Sequence, residues 1–244
     1  MVEHRLAKAR VASSNLVSRF NKENELNDCI QLIFRIFKNF DVGVHLRMNT
    51  NFEKQFQFLI EIDKMKNILR QTLLADGSRR ENDAEHSWHF AVMAMVLFEY
   101  AEQDQVDLFR VLKMALVHDL VEVYAGDTFA YDEKGNEDKA AREAEAADKL
   151  FGLLPAEQGA EIRALWIEFD AMETSDAQYA AAIDRLQPFI NNYVTQGHTW
   201  KPNGVTRSNV YKRMDMVRKA APALWAFVEK VVAEAVAKGW LVDA

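Results

Sequence analysis

The sequence predicts an all-α domain. Three observations carry that expectation. From Asn49 onward, apolar residues recur at steps of three and four. Capping and breaking residues stand where those periodic runs begin and end. No stretch alternates convincingly at period two.

The elements follow in order. Phe52, Phe56, Leu59, Ile62, Met65 and Leu69 share one face of a first helix, which breaks at Ala75-Asp76-Gly77-Ser78. Asn82 and Glu85 stand three apart, as in a capping box, before a helix of about 84–101 whose face carries His86, Phe90, Met93, Leu97 and Tyr100. A third helix is expected over about 106–123, with Leu108, Leu112, Ala115 and Leu116 inward. Gly126 and Gly135 bound a loop, and an Ala-rich charged helix runs over about 137–151. Pro155 opens the next, where its missing N–H costs nothing. Ser175 and Gln178 suggest a cap for a helix of about 176–196, and two more follow over about 206–218 and 222–238.

The 244 residues suit one domain with an appendage. Residues 1–47 carry eight Lys or Arg against five Asp or Glu, whereas the remainder is strongly acidic. Only Cys29–Phe37 could form an amphipathic helix there. Residues 9–19 resemble a peptide read through a transfer-RNA gene, which would make Met48 the natural start; a basic arm is the equal alternative. We therefore expect an N-terminal extension over 1–47 and the functional domain over 48–244. The net charge of −7 argues against a nucleic-acid polymer as partner. Cys29 alone permits no internal disulfide and no thiolate cluster. No apolar run reaches bilayer length and no signal peptide is evident, so no membrane association and a cytoplasmic location are expected.

The candidate chemistry begins at His118-Asp119, inside the apolar run Val111–Val121. A buried Asp is costly unless paired or metal-bound. Alone, the pair reads more simply as a hydrogen bond at a helix end. Glu122 shifts the balance: four residues from His118 and three from Asp119, it would project to the same side. Asp127 follows just after Gly126, and clustered carboxylates repel one another without a cation. His86 opens the preceding helix, and antiparallel packing would bring it to His118. Asp184 is another acid in an apolar run, Ala180–Leu186, with Pro188 four residues on. Alone it reads as readily as a salt-bridge partner. His89 reads as a supporting histidine rather than a ligand.

A His, a His-Asp pair 32 residues on, and an Asp 65 residues beyond that pair resemble the HD-domain phosphohydrolase superfamily. The surrounding words agree: Glu85-His86-Ser87, His118-Asp119-Leu120-Val121-Glu122, Gly126-Asp127 and Asp184-Arg185-Leu186. The resemblance covers roughly 52–196 and is nearest to the 5′-deoxynucleotidase-like branch. It implies a single-domain helical bundle of the HD type. It implies one divalent ion (Mn, Co, Fe, Zn or Mg) on His86, His118, Asp119 and Asp184, the absence of His between 118 and 198 favouring a single metal. It implies Glu122 and Asp127 as acids near the scissile phosphate. Arg70 would contact that phosphate, with Arg79 and Arg80 as rivals; placed near a helix end, Arg70 is expected to serve the substrate rather than the fold. Gln71 departs from the branch, which carries an aromatic residue there, and this bears on nucleotide specificity. The implied substrate is a small phosphomonoester such as a deoxynucleoside 5′-monophosphate, and the implied assembly a homodimer. The alternatives are a phosphodiesterase or hydrolase of another phosphorylated metabolite on the same site, and a metal-stabilised binding or regulatory module without turnover.

Overall fold

The computed structural model describes residues 50–101 and 105–244, all within one compact unit, Asn49–Ala244. The expected helix over Cys29–Phe37 and the rest of the head lie outside the described residues.

Helix α1 (Thr50–Ile62) runs into a 3₁₀ turn, Asp63–Asn67. The chain then forms a small antiparallel hairpin, β1 (Leu69–Leu73) with β2 (Arg80–Asn82), pairing Leu69 with Asn82 and Leu73 with Arg80 across an irregular register. This corrects the expected first helix, which was drawn through Leu69. Its face is corrected as well. Phe58 is the buried residue of α1, while Phe52 and Leu59 are 48% and 59% exposed.

Strand β2 passes directly into α2 (Asp83–Val96). Asn82 ends the strand and caps the helix: its side chain accepts from the Glu85 N–H, and the Glu85 carboxylate accepts from the Asn82 N–H. Helix α3 (Leu108–Val117) is capped by Asp107. It ends at Val117 instead of continuing to 123, and residues 118–121 form tight i→i+3 turns leading into the single-turn α4 (Glu122–Ala125). The buried face of α3 is Val111, Met114 and Ala115, continued by His118; Leu116, expected inward, is exposed. The short α5 (Glu133–Asn136), α6 (Lys139–Phe151) and α7 (Ala156–Ala171) follow. Helix α8 (Ser175–Val194) is capped by Thr174, one residue before the expected Ser175. Helices α9 (Arg207–Ala220) and α10 (Trp225–Ala237) complete the domain. The fold is thus all-α but for one small hairpin.

Two apolar clusters form the core. The larger joins α2, α3, α8, α9 and α10 through Phe90, Met114, Tyr179, Ile183, Met214 and Val228. The smaller joins α1 and α6 through Phe58, Met65, Leu150 and Phe151, together with Leu120 and Val121. Residues 118–121 therefore carry the chain from one cluster to the other, and His118 and Asp119 sit at that seam. Helix α8 lies at the centre of the larger cluster, packed on α2, α3, α7 and α9. Its buried Ala177, Ala180, Ala181 and Ala182 let those neighbours approach closely. Among the described residues, no helix is long and apolar enough to cross a membrane.

Candidate metal centre

The seam, the start of α2 and the middle of α8 meet at one pocket. His86 comes from the first turn of α2, His118 and Asp119 from the end of α3, and Asp184 from α8. The His86 and His118 rings lie 5.4 Å apart. His86 Nε2 stands 2.9 Å from Asp184 Oδ1 and 3.7 Å from Asp119 Oδ2. His118 Nε2 stands 3.1 Å from Asp119 Oδ2 and 3.5 Å from Asp184 Oδ1. Both imidazoles are buried; the two carboxylates retain 14% exposure, towards a cavity of about 160 Å³.

The outer ring nitrogens decide what the inner ones can do. His86 Nδ1 lies 2.9 Å from Gln187 Oε1, and His118 Nδ1 lies 3.0 Å from the Ala115 carbonyl oxygen. Both neighbours only accept, so each Nδ1 must carry the proton. In neutral rings, the Nε2 lone pairs then point at carboxylate oxygens. Lone pairs facing carboxylates need a cation or a proton between them. Outward Nδ1–H donation is also how metal-ligating histidines are held. His118 Nε2 is buried and has no hydrogen-bond partner among the described residues, and His86, His118 and Asp184 offer ligand atoms all within 4.8 Å of one another. A divalent ion fits this donor set of two imidazoles and two carboxylates.

A second group of acids adjoins it. Asp83, Glu122 and Asp127 also offer oxygens within 4.8 Å of one another. Both oxygens of Asp83 and Oε2 of Glu122 are buried without a hydrogen-bond partner among the described residues. Asp127 leaves α4 through Gly126, whose φ of 75° and ψ of 151° suit glycine alone. Arg142 braces the loop that follows, donating to the Ala125 and Gly135 carbonyls and to Thr128 Oγ1. Arg70 reaches in from β1: Nη1 lies 2.9 Å from Asp119 Oδ2, 3.6 Å from Asp83 and 3.8 Å from Asp127. Arg79 instead pairs with Glu85 in solvent, and Arg80 donates to the Leu69 and Arg70 carbonyls, closing the hairpin.

The seven residues singled out in the sequence therefore share one site. Four others were not read from it. Asp83 is one helical turn before His86, and Gln187 one turn after Asp184, so their spacing was a usable signal. Gln187 also donates to Glu81 Oε1 at 2.8 Å and lies 3.1 Å from His89 Nδ1, which places His89 behind His86. Glu81 and Lys139 gave no such signal; they arrive through the hairpin and through α6.

Charge sets the metal-free protonation pattern. Burial opposes charge on His118, but Asp119 and Asp184 more than compensate and raise it to about 10. Burial likewise pushes Asp119 and Asp184 up, and the two histidines, with Arg70 beside Asp119, pull both below the ordinary carboxylate range. Burial holds Asp83 and Glu81 up at about 7, raises Asp127, and with the Asp119 and Asp83 charges raises Glu122 well above its usual value.

An acid whose folded pKa exceeds its unfolded one costs stability once ionised. Between about pH 4.5 and 7 Glu81 and Asp83 therefore weaken the metal-free fold as pH rises, and Asp127 and Glu122 act in the same direction. The contribution of His118 is complete below 6.5 and is lost from there towards 10. His86 and His89, lowered by burial, oppose this below 6.5, two groups against four. Asp119 and Asp184 lose their contribution only in stronger acid. The melting temperature of chelator-treated protein should thus rise as pH drops from 8 to 5.5. A flat or falling profile would contradict the assignment.

Fold and site together define a helical domain built around a buried His/Asp group that could hold a cation. An HD domain family model matches residues 62–225. The chain belongs to the HD domain family. It is 52% identical to a "predicted metal-dependent phosphohydrolase" from Magnetospirillum magnetotacticum MS-1 of known crystal structure, with a TM-score of 0.74 over 79% of this chain and 99% of that one. It is 30% identical over 135 residues to a human protein named 5′-deoxynucleotidase HDDC2, covering 55% of this chain and 64% of that protein's length. A Pyrococcus furiosus protein at 22% identity, with a TM-score of 0.54 over 74% of this chain and 98% of that one, shares the fold. Membership of the family implies a divalent metal, and the His/Asp group could hold it.

Proposed function

We propose that the chain is a metal-dependent phosphomonoesterase acting on a deoxynucleoside 5′-monophosphate, releasing nucleoside and phosphate. The observation that carries this reading is the pair of inward Nε2 lone pairs facing Asp119 and Asp184, next to a buried arginine and protonatable acids. The relatives' names support the substrate. His86, His118, Asp119 and Asp184 would hold one ion, of Mn, Co, Fe, Zn or Mg. Such an ion, when bound, acidifies a water and neutralises charge on phosphate.

The chain's own groups supply the rest. Arg70 offers a fork of donors to a phosphate oxygen. Its Nε, buried without a hydrogen-bond partner among the described residues, is ion-paired with Glu81 Oε2 at 3.9 Å, while Nη1 is the arm that meets the site's carboxylates. Glu122, raised well above its usual range by burial and by the Asp119 and Asp83 charges, can give a proton to the leaving alkoxide, and Asp127 can orient the water. Phe129, Tyr131 and Phe169 line the same cavity and offer apolar surface to the nucleoside. The functional domain over 48–244 is supported by the composition break, a cytoplasmic setting by the lone cysteine, and a homodimer by the family resemblance.

Phosphate release from a panel of nucleotides, sugar phosphates and phosphodiesters, across several divalent metals, tests the reading. A deoxynucleoside 5′-monophosphate should be turned over best; exclusive cleavage of diesters would sink it. In the same assay Arg70→Ala should lose ~10–100-fold in kcat/KM, the scale of a charged hydrogen bond. It should also lower the melting temperature, because it uncovers the buried acids. The sequence-based expectation of an arginine serving the substrate but not the fold is revised on this point. Arg70→Lys should recover only part of the activity, lacking the fork.

A further inference from the structure

The cavity beside the His/Asp group shares Gln71, Phe129 and Tyr131 as lining with a wider cleft of about 1050 Å³. Two arginines line both spaces: Arg185, next to Asp184 on α8, and Arg213 on α9. Neither has a carboxylate within ion-pair distance among the described residues. Arg185 donates only to the Met172 sulfur, a weak acceptor, at 3.0 Å. Arg213 shares α9 with Asp215. Asp215 is itself taken up by Lys219 and Arg218. The cleft's own acids are Asp132, whose side chain accepts from the Gly135 N–H, and Glu133, which is exposed. Lys134 and Lys212 line it too, so positive charge is in excess.

Two half-buried guanidiniums lining one cleft without a carboxylate partner leave an excess of positive charge there. Seven of the ten arginines among the described residues hold a carboxylate, Arg70, Arg207 and Arg218 among them. A paired arginine fork is, however, well suited to grip a phosphate or carboxylate. We propose that Arg185 and Arg213 form a second anion subsite, holding a phosphate or carboxylate on the same substrate molecule as the scissile phosphate. This rests on the phosphohydrolase reading above and narrows its substrate class to phosphomonoesters carrying a second anionic group. The Phe129 and Tyr131 rings, 5.5 Å apart, line both cavities and offer apolar surface to such a molecule.

The test compares deoxyadenosine 3′,5′-bisphosphate with deoxyadenosine 5′-monophosphate on the metal-loaded full chain. Release of the 5′-phosphate gives one ratio of kcat/KM, and calorimetric titration gives a ratio of Kd that needs no turnover. The bisphosphate should be preferred by ~10–100-fold, as expected of a charged hydrogen-bonded contact. Arg213→Ala should collapse that preference and Arg213→Lys should restore part of it. Equal handling of the two ligands by the unaltered protein overturns the proposal. So does a variant that weakens both ligands alike, which would make Arg213 structural. An Arg213-dependent binding preference without any hydrolysis would uphold the subsite and defeat the phosphohydrolase reading instead.

Discussion

Glu122→Gln should lower turnover by ~10²–10⁴-fold, the usual contribution of a general acid or base, with metal content intact. Glu122 is buried, and its Oε2 meets no hydrogen-bond donor among the described residues. Burial, followed by the Asp119 and Asp83 charges, raises it well above its usual carboxylate range. A group so placed can donate to a leaving oxygen, whereas the amide has no acidic proton to give. The amide fills the same volume, so substrate binding should be largely kept. The metal-free fold should be no less stable, since a carboxyl that resists ionisation is replaced by a neutral group. Turnover, metal content and ligand binding should be measured on one preparation. Loss of metal would make Glu122 a ligand; unaltered turnover would pass the proton to Asp127.

Asp119→Ala should remove both the metal and the activity. Asp119 Oδ2 lies within reach of both imidazoles and of Arg70, so one substitution takes a proposed ligand and the partner of a buried cation. Breaking a buried pair costs about 3–5 kcal/mol, so the alanine variant should be markedly less stable. Asp119→Asn keeps the shape and guards against that outcome. Elemental analysis of the unaltered protein should approach one divalent ion per chain, and either variant should fall well below it. Full occupancy in both would remove Asp119 from the ligand set. An ion retained after the His/Asp centre is disabled would have to sit on Asp83, Glu122 and Asp127.

The proposed ligands were legible because helices repeat. Asn82 and Glu85 marked the start of α2, and antiparallel packing then set His86 against His118. The apolar runs around Asp119 and Asp184 marked those acids as costly. The hairpin was not legible. Met65 and Leu69 continue the three-four spacing of α1 by coincidence; Met65 packs from a 3₁₀ turn, and Leu69 is half exposed. The pairing of β1 with β2 is irregular and short, so no alternation announces it. Arg70 was found by resemblance and placed on the wrong kind of element. Its cluster of carboxylate neighbours was therefore unforeseen, and with it its bearing on stability. The end of α3 was overdrawn for a related reason: i→i+3 turns keep the spacing of Asp119 and Glu122 close to helical, so the sequence does not distinguish them from one more turn of helix.

The two imidazoles differ in how easily mutation can reach them. The proton position on His118 is set by the Ala115 carbonyl, a main-chain atom that every residue type at position 115 would supply. That of His86 is set by the side-chain oxygen of Gln187. A single substitution at 187, such as the nearly isosteric glutamate, would place a charge against Nδ1 and disturb Glu81 and His89 as well. The centre thus has one side guaranteed by the backbone and one side held by a single codon, and that second side is where inherited variation or directed evolution has purchase on the metal's electronic character without touching any of the four residues proposed to hold it.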